Sequence, residues 1–159
     1  MNLLEVKKLN LCILRLQIIY TSIMSGMMLM YVITIGSYFN YILKNKMFGA
    51  LQDYSLFRKN TRVQMNHSIA FIGQVVLSVV SLVINYDLGV FPLIVAVMVP
   101  LIILFCHIFT GFGKAEQLVV GGKELNYRTI KVYLSWNKTL HIAYTIFYMV
   151  SAALLLNLL

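Results

Sequence analysis

Three histidines hold most of the reactive potential of this chain: His67, His107 and His141. A neutral imidazole can ligate Zn, Cu or Fe, and it can take a proton from a bound substrate. Each histidine stands near the end of an apolar run. His67 opens one, His107 precedes the end of the next by about two turns, and His141 follows the start of the last. If those runs cross a membrane, all three ends lie on one side. Asn40, Asn66, Gln74, Thr110, Trp136 and Asn137 fall toward the same side. Asn137, His141 and Tyr144 are spaced i, i+4, i+7 and share a helix face, and His67 and Gln74 are related in the same way. The spacing therefore predicts one polar cluster. In it His67, His107 and His141 act as base or ligands, and Asn40, Gln74, Trp136, Asn137 and Tyr144 bind an aromatic substrate. The competing reading is interfacial: such side chains also settle at headgroup level, and Trp136 with Lys138 makes an ordinary anchor.

Assembled catalytic motifs are missing. No H-E-x-x-H, H-x-x-E-H or C-x-x-C pattern occurs, so neither a metal nor a cofactor is expected. No G-x-S-x-G elbow is present. The run GFGKAE at residues 111–116 follows an apolar stretch instead of a strand and lacks the Lys-Ser/Thr end of a phosphate loop. His107 is the histidine set deepest in an apolar run. A lipid-facing imidazole there would have no partner, so it is expected to face the interior and bond Asn40, His67 or His141.

The elements that position these residues follow from composition. The chain has 159 residues, of which 60% are hydrophobic and 11% charged. Its mean hydropathy is +0.84. Soluble domains are about 45–50% apolar and about 25% charged, so an ordinary soluble enzyme, a disordered chain and a disulfide scaffold are excluded. What remains is an all-α integral membrane protein: a four-helix bundle with an amphipathic N-terminal segment, forming a single domain over 1–159. Spans are expected at about 16–43, 67–86, 90–113 and 140–159, each near the length that crosses a bilayer. Residues 1–15 alternate Leu with Lys7, Lys8 and Arg15, and read as a retained interfacial helix. A short surface helix is expected near residues 47–57. Residues 85–92 permit only a tight hairpin, with Pro92 in the first turn of the third span. Pro100 should kink that span. Ser22 and Gly26 form a small-xxx-small pair suited to close helix packing. Cys12 and Cys106 lie in apolar surroundings with no metal or redox spacing.

The net charge of +8 sits mainly in two polar loops on one side. Those loops hold ten of the 13 Lys and Arg residues, while Lys7, Lys8 and Arg15 lie on the other side. The asymmetry predicts cytoplasmic loops in a cell-membrane protein, with lipid and not nucleic acid as the basic residues' partner.

The closing run YLSWNKTLHIAYTIFYMVSAALLLNLL, residues 133–159, resembles the last helix of the anthrone oxygenase-like (DUF1772) membrane proteins. Those end in a Trp-Asn or Trp-x-x-His element before a helix rich in small residues and leucine. The layout is also similar: a first helix with a central glycine, a polar loop, a helical hairpin, a second polar loop and a closing helix. The chain departs from that pattern in lacking an Asn-Pro-Asn element after the third helix and an Arg within residues 143–148. The resemblance implies a small four-span protein, some of whose relatives insert oxygen into polyphenolic anthrones. It assigns functional weight to Trp136, Asn137 and His141. Two function classes follow from the sequence. One is a protein acting through a membrane partner or a second copy of itself. The other is a small-molecule site, such as an oxygenase, at the cytoplasmic end.

Overall fold

The computed structural model describes residues 3–159. They form seven α-helices: α1 (Leu3–Ile33), α2 (Ile35–Lys44), α3 (Phe48–Asn60), α4 (Val63–Asn85), α5 (Val90–Phe109), α6 (Phe112–Val120) and α7 (Tyr127–Leu156), with a short 3-10 turn at Tyr86–Leu88. Among the described residues there is no strand. Four segments are long and apolar enough to cross a membrane: Glu5–Lys44, Val63–Leu88, Val90–Phe109 and Tyr127–Leu156. The all-α helical fold of an integral membrane protein is therefore in place. In lipid a helix satisfies its own backbone, which is why apolar runs of this length fold as they do.

Three of the spans begin earlier than the apolar runs alone predict, while α5 ends at Phe109, short of the expected residue 113. The N-terminal segment is not a separate surface helix, because α1 begins at Leu3 and continues through the apolar run. With α2 it makes a rod that includes the 40-residue segment Glu5–Lys44. At 1.5 Å per residue that is roughly 60 Å, about twice the hydrocarbon thickness. The rod breaks at Thr34, whose φ and ψ are −114° and −90°. The Thr34 hydroxyl bonds back to the Met30 carbonyl. Likewise α7 starts at Tyr127, well before position 140, and is capped by the Asn126 side chain accepting from the Thr129 N–H at 2.8 Å. The second polar loop contracts to a few residues, since its first part is α6. The segment near residues 47–57 is helical as expected and forms α3. Pro92 falls in the first turn of α5, and the helix runs on through Pro100.

Packing follows the small and apolar faces. The most extensive contact joins α1 to α7, and α4 and α5 close the bundle around them. Leu14, Ile18, Thr21, Met24 and Ser25 face inward on α1. This choice turns Ser22 and Gly26 outward, where both are exposed, so the expected close-packing pair does not join helices within the chain.

The core is divided. Toward the loops, Met24, Phe39, Val99, Ile103, Phe112 and Tyr144 belong to one apolar cluster. Toward the hairpin, Leu14, Ile18, Leu93, Ala96 and Leu155 form a second. Between them α1 and α4 meet through polar groups. The Gln74 amide donates to Thr21 Oγ1 at 3.0 Å and to Ser78 Oγ at 3.3 Å. One turn along α1, Gln17 is fully buried, and neither of its amide atoms has a hydrogen-bond partner among the described residues. An unpaired amide in an apolar setting is unfavourable, and an apolar side chain of similar size removes that penalty. Gln17→Met should therefore raise stability by about 1 kcal/mol, read from thermal unfolding in nanodiscs. A drop of similar size would show that the amide is bonded in the membrane.

Candidate functional site

The polar site gathers at the end of α5, around the turn into α6. Thr110 and Gly111 make that turn, with Gly111 at φ 70°. The reversal lays α6 back against α5 and α7. Phe112 is fully buried and anchors the turn, its ring 5.2 Å from that of His107 and 5.7 Å from that of His141. One turn further, Glu116 faces inward. Its Oε2 lies 3.5 Å from His107 Nε2, and both side chains are about a quarter exposed, at 25% and 23%.

On its other side His107 meets α7. The Tyr144 hydroxyl lies 2.9 Å from Nδ1, and the two rings stack with centroids 5.3 Å apart. A carboxylate only accepts hydrogen bonds, so the proton of a neutral His107 belongs on Nε2, facing Glu116. Nδ1 then accepts from the Tyr144 O–H at the shorter distance, and gives up the bond that the other tautomer would donate to the Ile103 carbonyl 3.3 Å away. Tyr144, His107 and Glu116 thus form a file of hydroxyl, imidazole and carboxylate. In such a file the acid orients the imidazole, and the imidazole can take the hydroxyl proton.

A second set of groups backs this file. His141 Nδ1 donates to the Asn137 carbonyl at 2.7 Å. Its ring stacks on Tyr31 at a centroid distance of 4.0 Å and an interplanar angle of 19°. The Tyr31 hydroxyl reaches Tyr133 at 3.0 Å and Glu116 Oε1 at 3.5 Å. Gly36 makes room for this arrangement, since a Cβ there would stand 2.8 Å from the Tyr31 ring. The Asn137 amide donates to the Gly36 carbonyl and to Asn40 Oδ1, both at 2.9 Å. Those two bonds fix α7 to the segment after the Thr34 break.

The structure brings together His107, His141, Tyr144, Asn137 and Asn40, and leaves three expected members elsewhere. His67 is exposed. It shares a face with Gln74 by spacing, but every residue from 64 to 69 is exposed, so these turns of α4 have no packed face. Gln74 is buried midway along the bundle with Thr21 and Ser78, away from the histidines. Trp136 is 38% exposed and points outward. His107 does face inward and bond a span-four side chain, but that side chain is Tyr144 and not Asn40, His67 or His141. Among the described residues no three His, Cys, Asp or Glu side chains are grouped to hold a metal ion. Sequence reasoning missed Glu116, Tyr31 and Tyr133. Glu116 was the findable one: an acid four residues after a buried Phe112 shares its helix face.

Burial alone would push the Glu116 carboxyl up. The hydrogen bond and charge of His107, aided by His141 and Arg58, outweigh it and hold the carboxyl below the usual carboxylate range. A carboxyl depressed in the folded state stabilises the fold above its unfolded value of about 4.3 and loses that contribution as pH falls through the lower folded value. Amide exchange in α6 should therefore accelerate on acidification below about pH 4. Glu116→Gln should flatten that acid-side change, and an unaltered profile in the variant would assign the acid sensitivity to another group.

Compared with known proteins, the chain matches no protein-family model, no curated protein and no solved structure.

Proposed function

We propose that this membrane protein carries an acid–base site for a small hydroxylated aromatic molecule at the loop side of its bundle. The observation that carries the reading is His107 held between the Glu116 carboxylate and the Tyr144 hydroxyl. His107 serves as the base, Glu116 orients it and stabilises its positive form, and Tyr144 passes the proton between ligand and imidazole. The rings of Tyr31, Phe112 and Tyr133 pack around it, an aromatic surround of the kind that stacks on an aromatic ligand. The resemblance of the closing helix to anthrone oxygenase-like proteins supports the same substrate class. The test uses protein in nanodiscs and a polyphenolic anthrone. Binding is followed by fluorescence and oxygen uptake by electrode. Wild-type protein should bind and turn over, while Tyr144→Phe and His107→Gln should lose turnover with the fold intact. Equal behaviour of protein-free nanodiscs would sink the reading.

A second reading, action through a membrane partner or a second copy, is favoured by Ser22 and Gly26. Both are exposed on the apolar face of α1, and nothing lies within 4 Å of a Cβ built at Gly26. Small residues open to lipid allow another helix to approach closely. A stoichiometric partner retained in mild detergent, and released by Gly26→Leu, would establish it.

The site faces the cytoplasm of a cell-membrane protein in both readings, because ten basic residues lie on that side. Cysteine labelling should reach position 122 from the cytoplasm and position 87 only from outside. The opposite pattern would invert the orientation.

A further inference from the structure

We propose that a groove between α3 and the start of α4 binds the phosphate headgroup of an anionic phospholipid from the surrounding bilayer. The groove is an open concavity of about 610 Å³, lined by Arg58, Lys59 and Arg62 together with Ser55, Gln64 and Ser68. No acidic residue lines it. Its far wall is the end of α6, where Ser55 Oγ donates to the Gly121 carbonyl at 3.0 Å, so the cationic wall faces a fixed one. Three cations converging on one concavity call for an anionic occupant with several acceptor oxygens, which a phosphate supplies.

The position of the groove selects a lipid. Arg62 immediately precedes the apolar segment Val63–Leu88, which sets the cations at headgroup level. From the groove wall an exposed apolar track runs down α4: Met65, Ile69, Ile72 and Val76. Their spacing of i, i+4, i+7, i+11 keeps them on one face. One molecule with an anionic head and apolar tails therefore meets both features. A free phosphate or an acidic protein segment would meet only the groove. Arg58 also contributes to holding Glu116 ionised, so the occupant would lie next to the charges of the acid–base site.

The experiment is native mass spectrometry of the full chain extracted from vesicles of phosphatidylcholine containing phosphatidylglycerol. Wild-type protein should retain one phosphatidylglycerol in preference to phosphatidylcholine. Arg58→Gln/Lys59→Gln/Arg62→Gln should weaken that retention on the order of 100-fold, the sum of three surface cations acting on an anionic lipid. Lys114→Gln/Lys131→Gln/Lys138→Gln removes three exposed cations elsewhere on the loop side and should leave retention unchanged. Should the triple groove variant fail to fold, Lys59→Gln/Arg62→Gln changes only exposed side chains and should weaken retention at least tenfold. Equal loss in the control variant would overturn the groove in favour of a diffuse basic face. Equal retention of phosphatidylcholine would overturn anionic selectivity. Complete displacement by millimolar inorganic phosphate would overturn the lipid as occupant.

Discussion

His107→Leu should destabilise the protein by about 2 kcal/mol, below the cost of breaking a fully buried ion pair because both partners are partly exposed. The substitution preserves volume and apolar contact. It leaves the Glu116 carboxylate facing the bundle without its partner, and leaves the Tyr144 hydroxyl without the imidazole nitrogen 2.9 Å away. Losing two partners at once distinguishes it from an ordinary polar-to-apolar change, in which only one group is orphaned. His107→Gln, which can still bond both neighbours, should retain most of the stability. The decisive measurement is a double-mutant cycle with Glu116→Leu, followed by unfolding in nanodiscs. The pair should be less destabilised than the sum of the single variants, because removing both partners leaves no stranded charge. Additivity would show that His107 and Glu116 do not interact.

Gly122→Ala should cost a similar amount, about 2 kcal/mol, for a reason unrelated to charge. Gly122 ends α6 with φ 59°, a left-handed conformation that glycine adopts freely. A Cβ there would stand 3.0 Å from both the Gln52 Cα and the Leu51 carbonyl oxygen, and 3.1 Å from Ser55 Cβ. The first two are backbone atoms of α3, so relief requires α3 and α6 to separate. That movement would also disturb the Ser55–Gly121 bond and the orientation of Glu116. Faster amide exchange confined to α3 and α6, together with weakened ligand binding, is the expected signature. Exchange unchanged in both helices would show that the contact yields without consequence.

The spans were legible because lipid reduces the structural choices to helices of a given length. Four apolar runs and the tight turn at residues 85–92 left little freedom. The ends were less legible. Lys7, Lys8 and Arg15 suggested a separate surface helix, yet a helix in progress needs no apolar face to continue, and α1 runs through them. The site was half legible. Asn137, His141 and Tyr144 lie on one buried face of α7, as their spacing required. Glu116 was hidden because it stands in a segment whose charge and glycines read as a loop. Only the return of α6 onto α5 makes it an interior residue. His67 shows the converse error. Its spacing to Gln74 was sound, but a shared face is buried only where a neighbouring helix covers it, and none covers the start of α4.

The pairing of α1 with α7 has a consequence for how the protein is made. These helices form the largest contact in the molecule, and α1 leaves the ribosome well before α7. Some 94 residues separate Ile33 from Tyr127; at about 5–20 residues per second, α1 waits roughly 5–20 s for its partner. During that interval Gln17 and Thr21 face the bilayer or the insertion machinery until a later helix covers them. The Gln74 amide arrives first and can bond Thr21, so the α1–α4 pair is a natural holding intermediate. A chain interrupted before residue 127 should remain with α1 and α4 joined and the histidine site unformed, and such truncated products should be the ones that membrane quality control removes.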